Sequence, residues 1–484
     1  MQVVLLNKTN DCVQVVLLIV LLLLLPVGVV TAGEVANDKA VGYSGTLPVM
    51  FIDTDAPITS KSKYVEGRMF IDSMGCKDVP SIGSLMEPIP LKIRGRGNWT
   101  WTSFDKKPYK LKLMEGRELL GMPSGKHWAL LAHADGQVSF LRNRAGFFLG
   151  RRFGMPFTPH EKAVEVVLNG DYIGLYMLTE TVRVGKRRVN INKQRDMQTD
   201  PDSINGGWLV ELDNTWNSNQ LRLPVKGKDL LRFWVTLHAP EELSSVQYHY
   251  LYDQMSTLLE QVFADDLPNA TWTEMLDLGS AARYYLINEM IDHVEAFQGS
   301  CYLYKDLEDT EEPRDASKQR WHFGPLWDLG HALNDWHAKD RYIYDNNWGY
   351  DISRQLMRYD VMRQEVFRLW RVDGSRSMLD MRNDLHRYAD TIRAAYDCNY
   401  RRWPAYYRSS IDKVLQQVDR AVIQKLSYLN NLSLSGFVGI DGITVGSRRE
   451  NGSERTYDVS GRPIKNVPTK GVTIKNGIKR ISIK

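Results

Sequence analysis

The spacing of apolar positions changes character once along the chain, near residue 213. From Gly45 to Asp213 the dominant period is two. Leu47-Pro-Val-Met-Phe-Ile52 opens this region, and Tyr109-Lys-Leu-Lys-Leu113 alternates cleanly, with Lys110 and Lys112 on one face and Leu111 and Leu113 on the other. Glu165-Val-Val-Leu168, the dipeptide Asn169-Gly170 and Tyr172-Ile-Gly-Leu-Tyr176 predict a β-hairpin with a type I′ turn. One stretch inside this region, Val138 to Phe153, has helical spacing, with Phe140, Leu141, Ala145, Phe148 and Leu149 on one stripe.

Beyond Gly206-Gly-Trp-Leu-Val-Glu-Leu-Asp213 the period lengthens. Segments 241–264, 271–292, 351–371, 376–396 and 414–429 predict amphipathic helices. Ser300-Cys-Tyr-Leu-Tyr304 and Arg320 to Asp328 predict a strand pair inserted among them, joined by a charged surface loop. The expected fold class is therefore α+β, β-rich over 45–213 and mainly helical over 214–430.

The two ends differ from the body. Lys8 precedes an apolar run from Val15 to Leu25, and Pro26, Gly28 and Val30-Thr31-Ala32 follow. The run is shorter than the ~20 residues of a spanning helix, so a cleaved signal peptide over 1–32 is expected rather than a retained anchor, followed by a linker over 33–44. Residues 431–484 read as a separate β-rich tail. Tyr457–Arg462, Lys470–Lys475, Asn476-Gly477 and Ile478–Lys484 suggest short strands and a tight turn. The tail resembles the small C-terminal β-modules of exported bacterial proteins, some of them read by the type IX secretion route; a plain basic extension is the alternative. The expected location is outside the cytoplasm: extracellular, cell-surface or periplasmic, with secretion machinery engaging the signal peptide and the tail.

Charge supports that division. The 484 residues carry +4 overall, but from Arg448 onward ten Lys/Arg face three Asp/Glu, so the tail holds +7 and the rest −3. A slightly acidic body with a basic tail argues against nucleic acid as a partner. Cys76, Cys301 and Cys398 would remain after cleavage, widely spaced and without a CxxC pair, so they allow at most one disulfide and no zinc motif.

Several segments carry candidate chemistry. In Leu91-Lys-Ile-Arg-Gly-Arg-Gly-Asn-Trp-Thr100, Gly95 and Gly97 let backbone N–H groups turn toward an anion, and Arg94 and Arg96 add charge. Lys110 and Lys112, on the next strand, suit nucleotide phosphates; a solvated strand face is the plainer reading. Glu180, in Leu178-Thr-Glu-Thr-Val182, suits either a partner for such a lysine or a surface acid. Leu141-Arg-Asn-Arg144 opens the first helix. In the second half, Asp292 and Glu295 follow a helix, and Asp328 ends a strand in Phe323-Gly-Pro-Leu-Trp-Asp-Leu-Gly330. An acid beside a glycine at a strand end suits Mg²⁺, and a neighbouring acid can accept a proton from an attacking hydroxyl.

Taken in order, RGRGN-W, KKPYKLKL, LRNR, NGDYIGLYMLTE, GGWLVELD, YYLINEM, YLYKD and FGPLWD resemble the CotH kinase family, from about Gly45 to Asn430. The resemblance implies a two-lobed atypical protein-kinase-like fold that uses ATP and Mg²⁺ or Mn²⁺ to phosphorylate exported or surface proteins, itself included. By position it implies that Lys110 or Lys112 contacts phosphate, that Asp328 holds the metal, and that Glu295 stands where the family has a catalytic aspartate. Two positions depart from the family pattern. His293-Val294-Glu295 replaces Asn-x-Asp, and Trp327-Asp328-Leu329-Gly330 replaces WDxD. Those departures keep a second expectation open, a catalytically impaired or purely surface-binding protein of the same fold, for which Trp99 and Trp101 are the aromatic pair of interest. A polysaccharide hydrolase is the third expectation, with no convincing carboxylate pair behind it.

Overall fold

The computed structural model describes residues 42–77, 79–213, 220–225, 228–308, 315–334, 341–345 and 352–435, together with backbone strands between 456 and 482. The signal peptide and nearly all of the linker lie outside the described residues. Within them, no helix is long and apolar enough to cross a membrane.

The period-two region closes into a barrel. Strands β1 (Val49–Thr54), β2 (Val65–Asp72), β3 (Ile89–Gly95), β4 (Tyr109–Leu119), β5 (Met122–Leu131), β6 (Glu161–Leu168) and β7 (Asp171–Glu180) pair in the order β1-β2-β3-β4-β5-β7-β6. A parallel β1–β6 pairing closes the ring, with Val49 opposite Glu165. Leu91, Ile93, Leu111, Leu113, Trp128 and Val166 fill the interior, so the alternation of β4 leaves Lys110 and Lys112 outside. The β6–β7 turn has Asn169 at φ 52° and Gly170 at φ 83°, the two positive values that a type I′ turn requires.

Helix α1 (Trp99–Ser103) lies in the β3–β4 connection, and α2 (Ser139–Arg152) follows β5. Phe140, Leu141, Ala145 and Leu149 of the expected α2 stripe are buried, whereas Phe148 is only half-buried and Phe147 takes a core place; Arg142 and Asn143 are buried as well. At the entry to β4, Lys106 is fully buried. Its ammonium donates to the carbonyls of Ala132 (2.7 Å) and Leu175 (2.6 Å) and lies over Phe140, Tyr176 and Tyr407. Burial pushes the Lys106 pKa well below its ordinary value, with Asp135 opposing the shift.

A second sheet has the order β12-β11-β8-β10-β9, from β8 (Trp208–Asp213), β9 (Gln220–Val225), β10 (Lys228–Ala239), β11 (Cys301–Lys305) and β12 (His322–Phe323). The β11–β12 pair is the inserted hairpin that the sequence predicts, joined to β8 with Cys301 opposite Leu212. The β9–β10 hairpin corrects the expected boundary, since chain beyond Asp213 was read as helical. Its period-two signal is present but short. Val235 and Leu237 are buried, whereas Thr236 and His238 face a cleft.

The remaining elements are α3 (Ser245–Val262), α4 (Trp272–Met275), α5 (Leu278–Met290), α6 (Ile352–Leu356), α7 (Asp360–Leu369), α8 (Ser375–Arg402) and α9 (Ile411–Ser435). A Ser244–Gln247 capping box starts α3, and Asp277 caps α5. Arg144 ties α2 to α8 through both Asp384 oxygens, at 2.6 and 2.9 Å. In the tail, β13 (Thr456–Tyr457), β14 (Pro463–Ile464), β15 (Gly471–Lys475) and β16 (Ile478–Ser482) pair in the order β14-β13-β15-β16, with β15 and β16 forming a hairpin. Cys76, Cys301 and Cys398 are free thiols.

The α9 lysine Lys425 is 1% exposed and neutralises two equally buried acids, Glu289 and Asp292, while donating to the Arg341 carbonyl at 2.8 Å. Replacing Lys425 with Met strands both carboxylates in the core and is expected to cost about 3–5 kcal/mol. Chemical denaturation checks this; a loss under about 1 kcal/mol would contradict it.

Candidate functional site

Three pieces of chain bring the acids together. After β12 the backbone buries Leu326, Trp327 and Leu329 and leaves Asp328 exposed between them. Asp328 has φ 52°, a left-handed conformation that Asp tolerates better than most residues. Two contacts with α2 fix it. Leu329 N–H donates to Asn143 Oδ1 at 3.1 Å, and Leu329 seats against Gly146, where any Cβ would lie 2.0 Å from Leu329 Cδ1. Asp328 itself makes no hydrogen bond or ion pair to a described residue, so its carboxylate is presented outward.

Asp135, in the β5–α2 connection, lies on the same side. Its side chain is 17% exposed and 3.5 Å from Arg142, which also donates to Asn334 at 2.6 Å. Burial raises the Asp135 pKa above its ordinary value; Arg142 opposes this, and the Asp328 charge adds to it. A Cβ placed on Gly330 would be 3.6 Å from Asp328 Oδ1 and 3.7 Å from Asp135 Oδ2, so the two carboxylates face one point.

Glu295, in the turn after α5, reaches the same cleft and pairs with His331 Nε2 at 3.0 Å. Asp292 does not. It is held in the core by Lys425, which removes it from the acids expected to orient an acceptor. The cleft, about 640 Å³, is bordered by Arg96, Trp99, Asp135, Glu211, Glu295, Asp328 and His331.

A second cavity, about 650 Å³, adjoins the first and shares Arg96, His238, Tyr302 and Trp327 with it. Its walls carry Arg94, Lys110, Lys112, His127, Arg183 and Lys193, with Glu241 the acid among its lining residues. Arg94 stands beside Lys110 in the β3–β4 ladder and lies over the Tyr64 ring at 5.1 Å. Lys110, Lys112 and Lys193 make no ion pair or hydrogen bond to a described residue. Burial lowers the Lys110 pKa to about 8, helped by Arg94, Arg183 and Arg96. Burial likewise takes His127 to about 4, helped by Arg183 and the neighbouring lysines. Arg96 sits over Trp327 at 5.5 Å; burial lowers its pKa, and Asp328 counteracts this. Uncompensated positive charge of this kind is relieved by a bound anion.

The arginine-glycine loop works differently from the expectation. The Gly95 and Arg96 amides are committed to the carbonyls of Ser60 (2.9 Å) and Pro108 (3.1 Å), so these two amides are not turned toward an anion. Gly95 is required because the Trp101 indole packs on it, and Gly97 because φ is 79°. Trp101 is thereby drawn against the loop, while Trp99 stays exposed at the cleft. Glu180 is outside both cavities. It is fully buried at the end of β7 and paired with Arg188 and with His160 Nδ1 at 2.9 Å.

Among the described residues no group of three or more His, Cys, Asp or Glu converges to hold a metal. A hard cation such as Mg²⁺ needs only one or two carboxylates with phosphate oxygens and water, and the unbonded Asp328 fits that requirement. Reading the sequence did not single out Asp135, Arg142, Asn143 or His331 as site residues. The available signal was Arg142-Asn143 adjoining the apolar stripe of a helix, where polar side chains need partners elsewhere in the fold.

The Lys110 shift has a defined pH consequence. Between about pH 8 and its ordinary 10.5, the folded protein has lost a proton that the unfolded chain keeps, so this group makes stability rise with pH across that window. A bound anion favours the charged form, so anion affinity is expected to fall above pH 8. Metal-free ATP, titrated calorimetrically at pH 7.5 and 9.5, is expected to bind about tenfold more weakly at the higher pH, within the ~1–4 kcal/mol span for one charge at 4 Å. Lys110→Arg is expected to flatten the dependence; an equal fall in both proteins would contradict it.

Compared with known sequences, the chain finds no match among curated proteins. A family model described as CotH kinase protein matches residues 93–429, a span that runs from β3 into α9 and contains both cavities' principal charges. The chain belongs to the CotH kinase protein family.

Proposed function

We propose that this protein is an exported CotH-like kinase that transfers the γ-phosphoryl group of ATP to a hydroxyl of a secreted or surface protein, or of itself. The observation that carries the reading is the meeting of a base-rich and an acid-rich cavity at Arg96. Phosphoryl transfer needs little covalent chemistry from the protein; it needs charge neutralisation on one side of the phosphate and metal and acceptor positioning on the other. In this reading the barrel and the helical region form the two lobes. The nucleotide lies in the basic cavity, against Val182 and Leu237, with its phosphates toward Arg96.

Lys110, Lys112 and Arg94 would neutralise the phosphates, and Arg96 would bridge to the acid side. Asp328 would hold Mg²⁺ or Mn²⁺, which when bound neutralises charge on the phosphate oxygens. Glu295 would accept the hydrogen bond of the acceptor hydroxyl and orient it, its carboxylate steadied by His331 at 3.0 Å. Export through the signal peptide, with the C-terminal sheet as a sorting or attachment module, belongs to the same proposal.

A second reading, a nucleotide-binding protein without transfer, is favoured by Gly330, which brings no carboxylate of its own. Transfer of labelled γ-phosphate with Mg²⁺ or Mn²⁺, run beside nucleotide binding, separates the two. Asp328→Asn and Glu295→Ala are each expected to lower incorporation about a hundredfold or more while nucleotide still binds. Binding without incorporation in the unaltered protein would establish the second reading, and the absence of both would leave a surface-binding module.

A further inference from the structure

Resting on the kinase reading, we propose that Asp135 is a second carboxylate ligand of the divalent cation and stands in for the acid that Gly330 does not provide. The first support is positional. Asp135 Oδ2 and Asp328 Oδ1 both lie within 3.7 Å of the point where a side chain at residue 330 would begin. They approach it from separate parts of the chain, Asp135 from the β5–α2 connection and Asp328 from the loop after β12. Two carboxylates converging on one point repel each other less when a cation lies between them. Arg142 offsets this only partly, at 3.5 Å and shared with Asn334.

The second support is an unpartnered group in the same place. A small cavity of about 50 Å³ is lined by Asp135, Asp328, Gly330 and His133, and also by the basic residues Arg96, Lys106 and Arg142. His133 is 8% exposed, and its Nε2 is buried without a hydrogen-bond partner. An unpartnered buried polar atom on a residue that lines such a cavity is ordinarily satisfied by a bound water or ion. A hydrated cation between the two carboxylates would reduce their mutual repulsion and supply a water for His133. Two carboxylates with phosphate oxygens and water make an ordinary Mg²⁺ or Mn²⁺ environment.

Gly330 provides the decisive variant. Its backbone is not left-handed, and an added Cβ makes only ordinary contacts, so aspartate fits there. Mn²⁺ affinity, measured by electron paramagnetic resonance with a non-hydrolysable ATP analogue present, is compared for the unaltered protein, Asp328→Asn, Asp135→Asn and Asp135→Asn/Gly330→Asp. Metal-free nucleotide affinity and thermal midpoint are followed on the same samples. Asp135→Asn is expected to weaken Mn²⁺ binding by at least roughly tenfold, the lower end of what even an outer partner of a metal site costs, while metal-free nucleotide still binds. Gly330→Asp is expected to restore it. Unchanged Mn²⁺ affinity in Asp135→Asn would overturn the assignment alone. So would a loss that Gly330→Asp fails to recover, since Asp135 would then act only by holding Arg142. No Mn²⁺ binding by the unaltered protein overturns the assignment and the metal-dependent reading together, and no nucleotide binding removes the kinase reading itself.

Discussion

The hydrogen bond from Leu329 N–H to Asn143 Oδ1 is the constraint on which the acid side of the site depends. It joins the barrel-proximal helix α2 to the loop after β12 and holds Asp328 in a left-handed conformation between two buried leucines, Leu326 and Leu329. Without that anchor the exposed loop would have no reason to keep a carboxylate aimed into the cleft, because Asp328 makes no bond of its own to a described residue. Its neighbours on α2 extend the same logic. Arg142 reaches Asp135 and Asn334, and Arg144 clamps Asp384 on α8 and Glu161 on β6. Three consecutive polar residues thus connect the barrel, the acidic loop and the long helix. Polar groups engaged across several parts of the fold specify one arrangement more sharply than apolar packing would.

Charge is segregated around this anchor. Two buried lysines are neutralised in different ways. Lys425 faces Glu289 and Asp292, whereas Lys106 meets only carbonyls, a hydroxyl and aromatic faces. Lys106 fixes the chain near Ala132, three residues before Asp135, so its buried ammonium helps place an acid of the cleft. Half-buried Lys110 and exposed Lys112 and Lys193 have no such partners among the described residues. The fold therefore spends its internal acids on structure and leaves the basic cavity unsatisfied, which is the arrangement an anionic substrate requires.

Much of this was legible in residue order. The alternation Tyr109-Lys-Leu-Lys-Leu113 placed Lys110 and Lys112 on the outer face because strand geometry allows no other result, and Asn169-Gly170 set its turn for the same kind of local reason. Asp328 and Glu295 were likewise found by their places at the ends of elements. The hairpin β9–β10 was missed because its described alternation, from Trp234 to Ala239, is too short to stand out beside helical neighbours. Glu180 and Asp292 were misjudged because their sequence settings look like surface turns. Burial, with Arg188 in one case and Lys425 in the other, is a property of chain that returns from far away.

The sequence by itself determined the α+β class, most strands and helices, the outward lysines of β4 and the family. Each of these follows from short-range periodicity or from motifs read in order. Only the tertiary structure decided that Gly95 and Arg96 spend their amides on neighbouring strands, that Asp292 is structural, and that Asp135 and Asp328 face a common point across Gly330. Asp135 and Asp328 are separated by nearly two hundred residues, and no local spacing rule relates positions so distant. Their meeting is set by how α2 packs against the loop after β12, through one amide and one leucine seated on Gly146.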